Sequence, residues 1–130
     1  SHPQVMHASD GSTIEFGKAQ PHPRSYGTYP RILGRYVREK GIISLAESIR
    51  KMTGLPASVL GLKDRGIVKN NYWADLVIFN PNNIIDNATW EDPHQYPSGI
   101  DWVIINGAIA LDHGNCSKEL YGKVLKHNEL

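Results

Sequence analysis

The chain has 130 residues, a formal charge of +1 and 40% hydrophobic residues, the size and make-up of one soluble globular domain. Acids and bases are interspersed, so there is no electrostatic footprint for nucleic acid or an anionic membrane, and no apolar run approaches the length of a membrane span. The single cysteine, Cys116, excludes an internal disulfide and a cysteine-rich metal site; with no signal-peptide pattern, a cytoplasmic location is the default expectation.

The first residues enter a strand-like run, Val5 to Ser9, with no start methionine and no preceding element. This reads as a chain cut from something longer. The run ends at the turn signal Asp10-Gly11. From Gly11 to Pro30 neither a 3.6 nor a 2.0 period is visible, and three glycines and three prolines interrupt the chain, so a long loop is expected. Loops of this length in compact domains are usually functional or disordered. The aromatics Phe16, Tyr26 and Tyr29, with Arg24 and Arg31, favour an ordered, functional one.

Ile32, Leu33, Tyr36 and Val37 then recur at helical spacing behind Pro30, and Gly41 stops that helix. Ser44-Leu45-Ala46-Glu47 has the form of a capping box, followed by the apolar stripe Leu45, Ile49 and Met52. Pro56 can open a further turn or two through Leu60, before Gly61. After Gly66 the pattern becomes β. Ile67-Val68 and Ala74 to Phe79 read as strands. Residues 81–99 are mostly irregular. Trp102 to Ile105, Asn106-Gly107 and Ala108 to Leu111 form a strong hairpin signal, because Asn-Gly accommodates a type I′ turn. Asp112 to Tyr121 is polar and turn-rich, and Gly122 to Lys126 could be a last short strand. Helices grouped before strands suggest two units, residues 1–65 and 66–130, divided near Leu62 to Gly66.

Several stretches carry a resemblance. Ser9-Asp10-Gly11 through HPRSYGTYPRILGRYVRE, the helix ESIRKMTGLPASVLGLKDRG, and YWADLVIFNP with EDPHQYPSGIDWVIINGAIALDHG resemble the C-terminal part of a D-aminoacylase, an N-acyl-D-amino-acid deacylase of the amidohydrolase superfamily. The resemblance is specific at HPRSYGTYPR and EDPHQYPSGI, and superfamily-wide elsewhere. It implies an α/β fragment: the last strand (Val5 to Ser9) and helix (Leu45 to Leu60) of a (β/α)8 barrel, followed by part of a C-terminal β-sandwich. In such barrels catalytic residues sit at the carboxyl ends of strands, where Asp10 falls.

The reaction implied is hydrolysis of the amide of an N-acyl-D-amino acid by a zinc-activated water. Zinc lowers the pKa of its water from about 16 to roughly 7. Asp10 matches the family aspartate that takes the proton of that water and returns it to the departing amine, and it could approach the metal. Arg24 matches an arginine near the substrate carboxylate, where a guanidinium gives bidentate recognition. His22 and Tyr26 complete the substrate-binding expectation. The family's metal ligands lie upstream of the position where this chain begins, and its six histidines show no H-x-H or H-E-x-x-H spacing. The resemblance therefore implies Zn2+ in the full-length enzyme and none in this chain alone, with the isolated chain inactive and prone, at its cut barrel edges, either to self-association that covers Val5 to Ser9 and the Ile49 face or to disorder of the first thirty or so residues.

Without the resemblance, an aspartate before a glycine is more often a turn former than a catalyst. Arg24 and Arg31 would be ordinary surface arginines; taken together in HPRSYGTYPR, they divide into a substrate role for Arg24 and a loop-holding role for Arg31. His22 leans toward bonding backbone. Tyr26 and Tyr29 read as packing pieces of the loop. His94 and Tyr96 read as joints between barrel and sandwich, His7 as a satisfied core or interface histidine, and Cys116 as a thiol with no adjacent base. A dihydroorotase-like or hydantoinase-like cyclic-amide hydrolase is an alternative within the superfamily, and a non-catalytic binding or assembly module is one outside it.

Overall fold

The computed structural model describes residues 2–126. Three helical stretches precede a four-stranded sheet. Helix α1 spans Arg24–Arg31 and continues without a break into a π-helical segment, Ile32–Glu39. Its start lies upstream of Pro30, so the loop expected to run to Pro30 ends at Pro23. Two local features explain the early start. Pro23 already holds the right-handed helical conformation, and His22 Nδ1 accepts the Arg24 N–H at 2.9 Å, satisfying one of the donors that a first turn leaves open. Prolines and glycines hid the helical period there. The wide turn that follows is marked by Lys40 N–H donating to the Arg35 carbonyl, five residues back, at 3.0 Å.

Helix α2, Leu45–Met52, opens at the expected cap: Ser44 Oγ accepts the Glu47 N–H at 3.2 Å. The Glu47 carboxylate turns forward instead, to Arg50 at 2.7 Å. Helix α3, Gly54–Leu60, ends on Gly61 in the left-handed region, where Leu62 N–H reaches back to the Ala57 carbonyl at 2.9 Å.

Strands β1 (Leu76–Phe79), β2 (Ile100–Ile105), β3 (Ala108–Asp112) and β4 (Asn115–Cys116) form an antiparallel meander in that order. Leu76 faces Ile104, and Val103 faces Leu111. Asn106 (φ 51°) and Gly107 (φ 86°) turn β2 into β3, as a type I′ turn requires. Polar ties close the hairpin end: Asn106 N–H donates to Asp75 Oδ1 at 2.8 Å, and Arg65 pairs with both Asp75 and Asn106.

Three expected strands are absent among the described residues. Residues 67–68 and 122–126 carry no ladder, and neither does Val5 to Ser9. A strand exists only with a partner. Here the segment is tied to α2, with His7 N–H donating to the Lys51 carbonyl at 3.2 Å and the Lys51 ammonium donating to the carbonyls of Val5 (2.7 Å) and His2. Lys51, 1% exposed, is one of the largest fully buried side chains. Strand β4, in the polar stretch read as turns, was not expected.

The buried apolar residues are few: Leu33, Ala57, Ile84 and Ala88. Leu33, Ile84 and Ala88 belong to the π-helical segment and the 84–88 segment, which meet at Gly34, where a Cβ would lie 2.7 Å from the Ile84 carbonyl oxygen, while Ala57 in α3 lies against Gly66. Arg38 Nη1 caps that same carbonyl at 2.6 Å. Val59, Leu60, Ile67, Val68, Val77 and Ile109 remain exposed. No helix among the described residues is long and apolar enough to cross a membrane.

Candidate active site

Asp10 and Arg24 stand at the two ends of the loop that precedes α1. The start of that loop folds back on the first helical turn. Ser12 N–H donates to Ser25 Oγ at 3.3 Å, Gly11 N–H donates to Ser9 Oγ at 3.2 Å, and a Cβ at Gly11 would come within 3.0 Å of the Ser25 Cα. Asp10 takes a left-handed backbone, φ 48°, of the kind that aspartate tolerates better than most side chains. The result is an ion pair, Arg24 Nη2 to Asp10 Oδ2 at 2.7 Å. Asp10 is 85% exposed and Arg24 42%, so the pair is open to solvent and exchangeable.

The other expected site residues surround this pair. His22 lends Nδ1 to the Arg24 N–H and lays its ring against Trp90, with centroids 4.3 Å apart. Tyr26 meets His94 Nδ1 through its hydroxyl at 2.9 Å. Two clefts border the site. One, of about 510 Å³, is lined by His22, Arg24, Gly27, Arg31, Asp86 and Trp90. The other, of about 410 Å³, lies between the residues flanking Asp10 (Ser9, Gly11, Ser12) and Ser25, Tyr26 and Tyr96.

Asp86, which nothing near it in sequence singled out, anchors the outer wall. Its side chain, 7% exposed, accepts from Arg31 Nη1 at 2.7 Å and has Arg35 Nε at 3.7 Å. The hydrogen bond that Arg31 donates to Asp86, and then the charge of Asp86, raise the Arg31 pKa above its ordinary value. A Cβ at Gly27 would press on the Asp86 Cβ at 2.9 Å. The only sequence signal for this contact is that arginines at i and i+4 share one helix face.

An exposed carboxylate beside a partly exposed guanidinium can accept a proton and can exchange its partner for another carboxylate. Among the described residues no group of three His, Cys, Asp or Glu side chains could hold a metal ion.

The model of the amidohydrolase family matches residues 3–111. The chain is 44% identical over 110 residues to an N-acyl-D-glutamate deacylase of Alcaligenes xylosoxydans xylosoxydans, covering 85% of this chain and 22% of that protein. It is 42% identical over 121 residues to a D-aminoacylase of the same organism, covering 93% and 24% respectively. Among solved structures, the N-acyl-D-glutamate deacylase of Bordetella bronchiseptica, complexed with zinc and a phosphonate that mimics the tetrahedral intermediate, superposes with a TM-score of 0.77 at 43% identity, over 84% of this chain and 22% of that one. The chain thus spans about a quarter of the length of the curated relatives it matches.

Proposed function

The chain belongs to the amidohydrolase family, and we propose that it contributes Asp10 and Arg24 to the active site of a zinc-dependent deacylase that hydrolyses N-acyl-D-amino acids. The products are a D-amino acid and a carboxylate. The observation that carries the reading is the 2.7 Å pair of Asp10 and Arg24, within a stretch more than 40% identical to deacylases of this class.

Asp10 accepts a proton from the water that adds to the acyl carbonyl. It delivers that proton to the amine nitrogen as the C–N bond breaks, because an unprotonated amide nitrogen is a very poor leaving group. Arg24 leaves Asp10 for the substrate's carboxylate, which offers the same planar two-oxygen acceptor. His22 orients Arg24 through its first-turn N–H, and Tyr26 borders the inner cleft. Zinc, when bound, would be held chiefly by residues outside this chain, with Asp10 able to approach it, and would activate the water and polarise the acyl carbonyl.

On this reading, in a complete barrel residues 1–65 supply the closing strand, with Val5 to Ser9 pairing only there, the active-site loop and the helices, and residues 66–130 supply part of the β-sandwich. Alone, the chain is inactive and self-associates through the apolar surface around Val59, Leu60 and Ile67, which is exposed.

The test is hydrolysis of N-acetyl-D- and L-amino acids with added zinc, by this chain and by a longer one with a complete barrel. The reading requires that only the longer chain turn over, that it select D-substrates, and that Asp10→Ala abolish the activity. Turnover by the 130-residue chain alone would overturn it.

A further inference from the structure

His94 lies far from Asp10 and Arg24 in sequence, yet it touches the loop that joins them at two points and the helix that carries Arg24 at a third. Its Nδ1 faces the Gly17 N–H at 3.2 Å and the Tyr26 hydroxyl at 2.9 Å, while Nε2 faces the Ala19 carbonyl at 3.1 Å. A backbone N–H can only donate and a carbonyl can only accept. The ring is therefore neutral, with its proton on Nε2 and a bare Nδ1, and the Tyr26 hydroxyl must be a donor. Any other protonation state sets a donor against the Gly17 N–H or leaves Ala19 without one.

The backbone on either side of that contact is unusual. Gly17 (φ 78°) and Ala19 (φ 54°) both take the left-handed region, and for an alanine this persists only where surrounding contacts impose it. The contact from Nε2 to the Ala19 carbonyl is one such contact. The ring is itself fixed by Phe16, with centroids 5.4 Å apart, and by Tyr26 at 5.7 Å, while Phe16 stacks on Tyr96 at 5.0 Å. Gln20 adds a further tie to the same segment, its Nε2 donating to the Trp90 carbonyl at 3.0 Å.

We propose that His94 is a positioning residue of the deacylase site: in its Nε2–H form it pins the middle of the loop whose ends carry Asp10 and Arg24, and so sets the distance between them. The proposal rests on Asp10 and Arg24 being the site residues. It is a role through other groups, since His94 is engaged on both nitrogens and has none left for substrate.

Two measurements test it. In the 130-residue chain, imidazole 15N resonances should show Nε2 protonated and Nδ1 bare at neutral pH; a ring protonated at Nδ1 overturns the proposal. His94→Ala should shift the amides of Gly11, Ser12 and Ser25 beside the site while leaving Val103 and Ile109 in the sheet unmoved, and shifts confined to residues 17–20 count against it. Should His94→Ala not fold, His94→Gln gives the same reading with smaller shifts, because its amide can still donate to Ala19.

In the complete enzyme, His94→Ala should lower kcat/KM by up to about 100-fold, the loss that a misplacement of about 1 Å can cause, with KM raised and His94→Gln recovering part of the loss. In an Arg24→Ala background the further loss should nearly vanish, because both changes act on one arrangement. Equal fractional losses in both backgrounds would mean that His94 does not act through the placement of Arg24, and would overturn the proposal. Absence of any D-substrate turnover by the complete enzyme would instead remove the functional reading, and the amide shifts would still decide the role of His94.

Discussion

Arg31 Nη1 donates to Asp86 Oδ2 across 2.7 Å, which fastens α1 to the irregular segment before β2. The carboxylate is buried, whereas the arginine is more than half exposed. Loss of the acid lets the arginine return to water, so the cost is that of a charged hydrogen bond discounted by screening, about 1 kcal/mol. Asp86→Ala should lower the urea midpoint by that amount with an unchanged m-value. No loss of stability would mean that the pair contributes nothing net.

Gly34 offers a sharper test of packing. A Cβ there would lie 2.5 Å from Ile85 Cδ1 and 2.7 Å from the Ile84 carbonyl oxygen. The isoleucine side chain can rotate away and the carbonyl cannot. Alanine also gains up to about 1 kcal/mol in helix propensity, and overpacking typically costs about 1–3 kcal/mol. Gly34→Ala should therefore be net destabilising, while Gly122→Ala, which meets nothing within 4 Å, should be nearly neutral. A stabilised Gly34→Ala protein would contradict the close approach of the π-helical segment to residues 84–85.

His7 gives stability a dependence on pH. Burial, and then the positive charge of Lys51, lower its pKa below the ordinary 6.5. The unfolded chain therefore binds a proton at a pH where the folded chain does not. This contribution is fully present above pH 6.5 and is lost as pH falls from there toward the lower folded value. Denaturation midpoints should decline over that window in the native chain, and the decline should be shallower in His7→Gln. Identical pH profiles would remove His7 as the cause.

The parts of this molecule that were legible in the sequence are those written in a few adjacent residues. Ser44 and Glu47 mark a helix start because the cap bond is made within one turn, and Asn106-Gly107 marks a hairpin because the turn needs positive φ at both positions. The start of α1 was hidden, since Pro23, Gly27 and Pro30 break the period that announces a helix, and the contacts that reward those residues come from His22 and Asp86. Val5 to Ser9 has a strand's composition without a partner strand among the described residues. The contacts of Asp86 and His94 span long separations and leave no local trace. Asp10 and Arg24 were marked by family resemblance. Their meeting at 2.7 Å depends on a fold-back of Gly11 and Ser12 onto Ser25 that no pattern predicts.

If the complete enzyme is the deacylase proposed above, that meeting separates two effects of substitution in it. Asp10→Asn keeps the shape and a weaker hydrogen bond to Arg24, yet it cannot carry a proton from water to amine, so kcat should fall by about 10²- to 10⁴-fold with KM little changed. Arg24→Lys keeps the charge and loses the planar fork, so KM should rise for carboxylate-bearing substrates while kcat falls less. An N-acyl amine without the carboxylate, poor from the outset, should hardly distinguish native enzyme from Arg24→Lys. If Arg24→Lys instead reduced kcat alone and equally for both substrates, the arginine would serve only to hold Asp10, and recognition of the carboxylate would have to be assigned elsewhere.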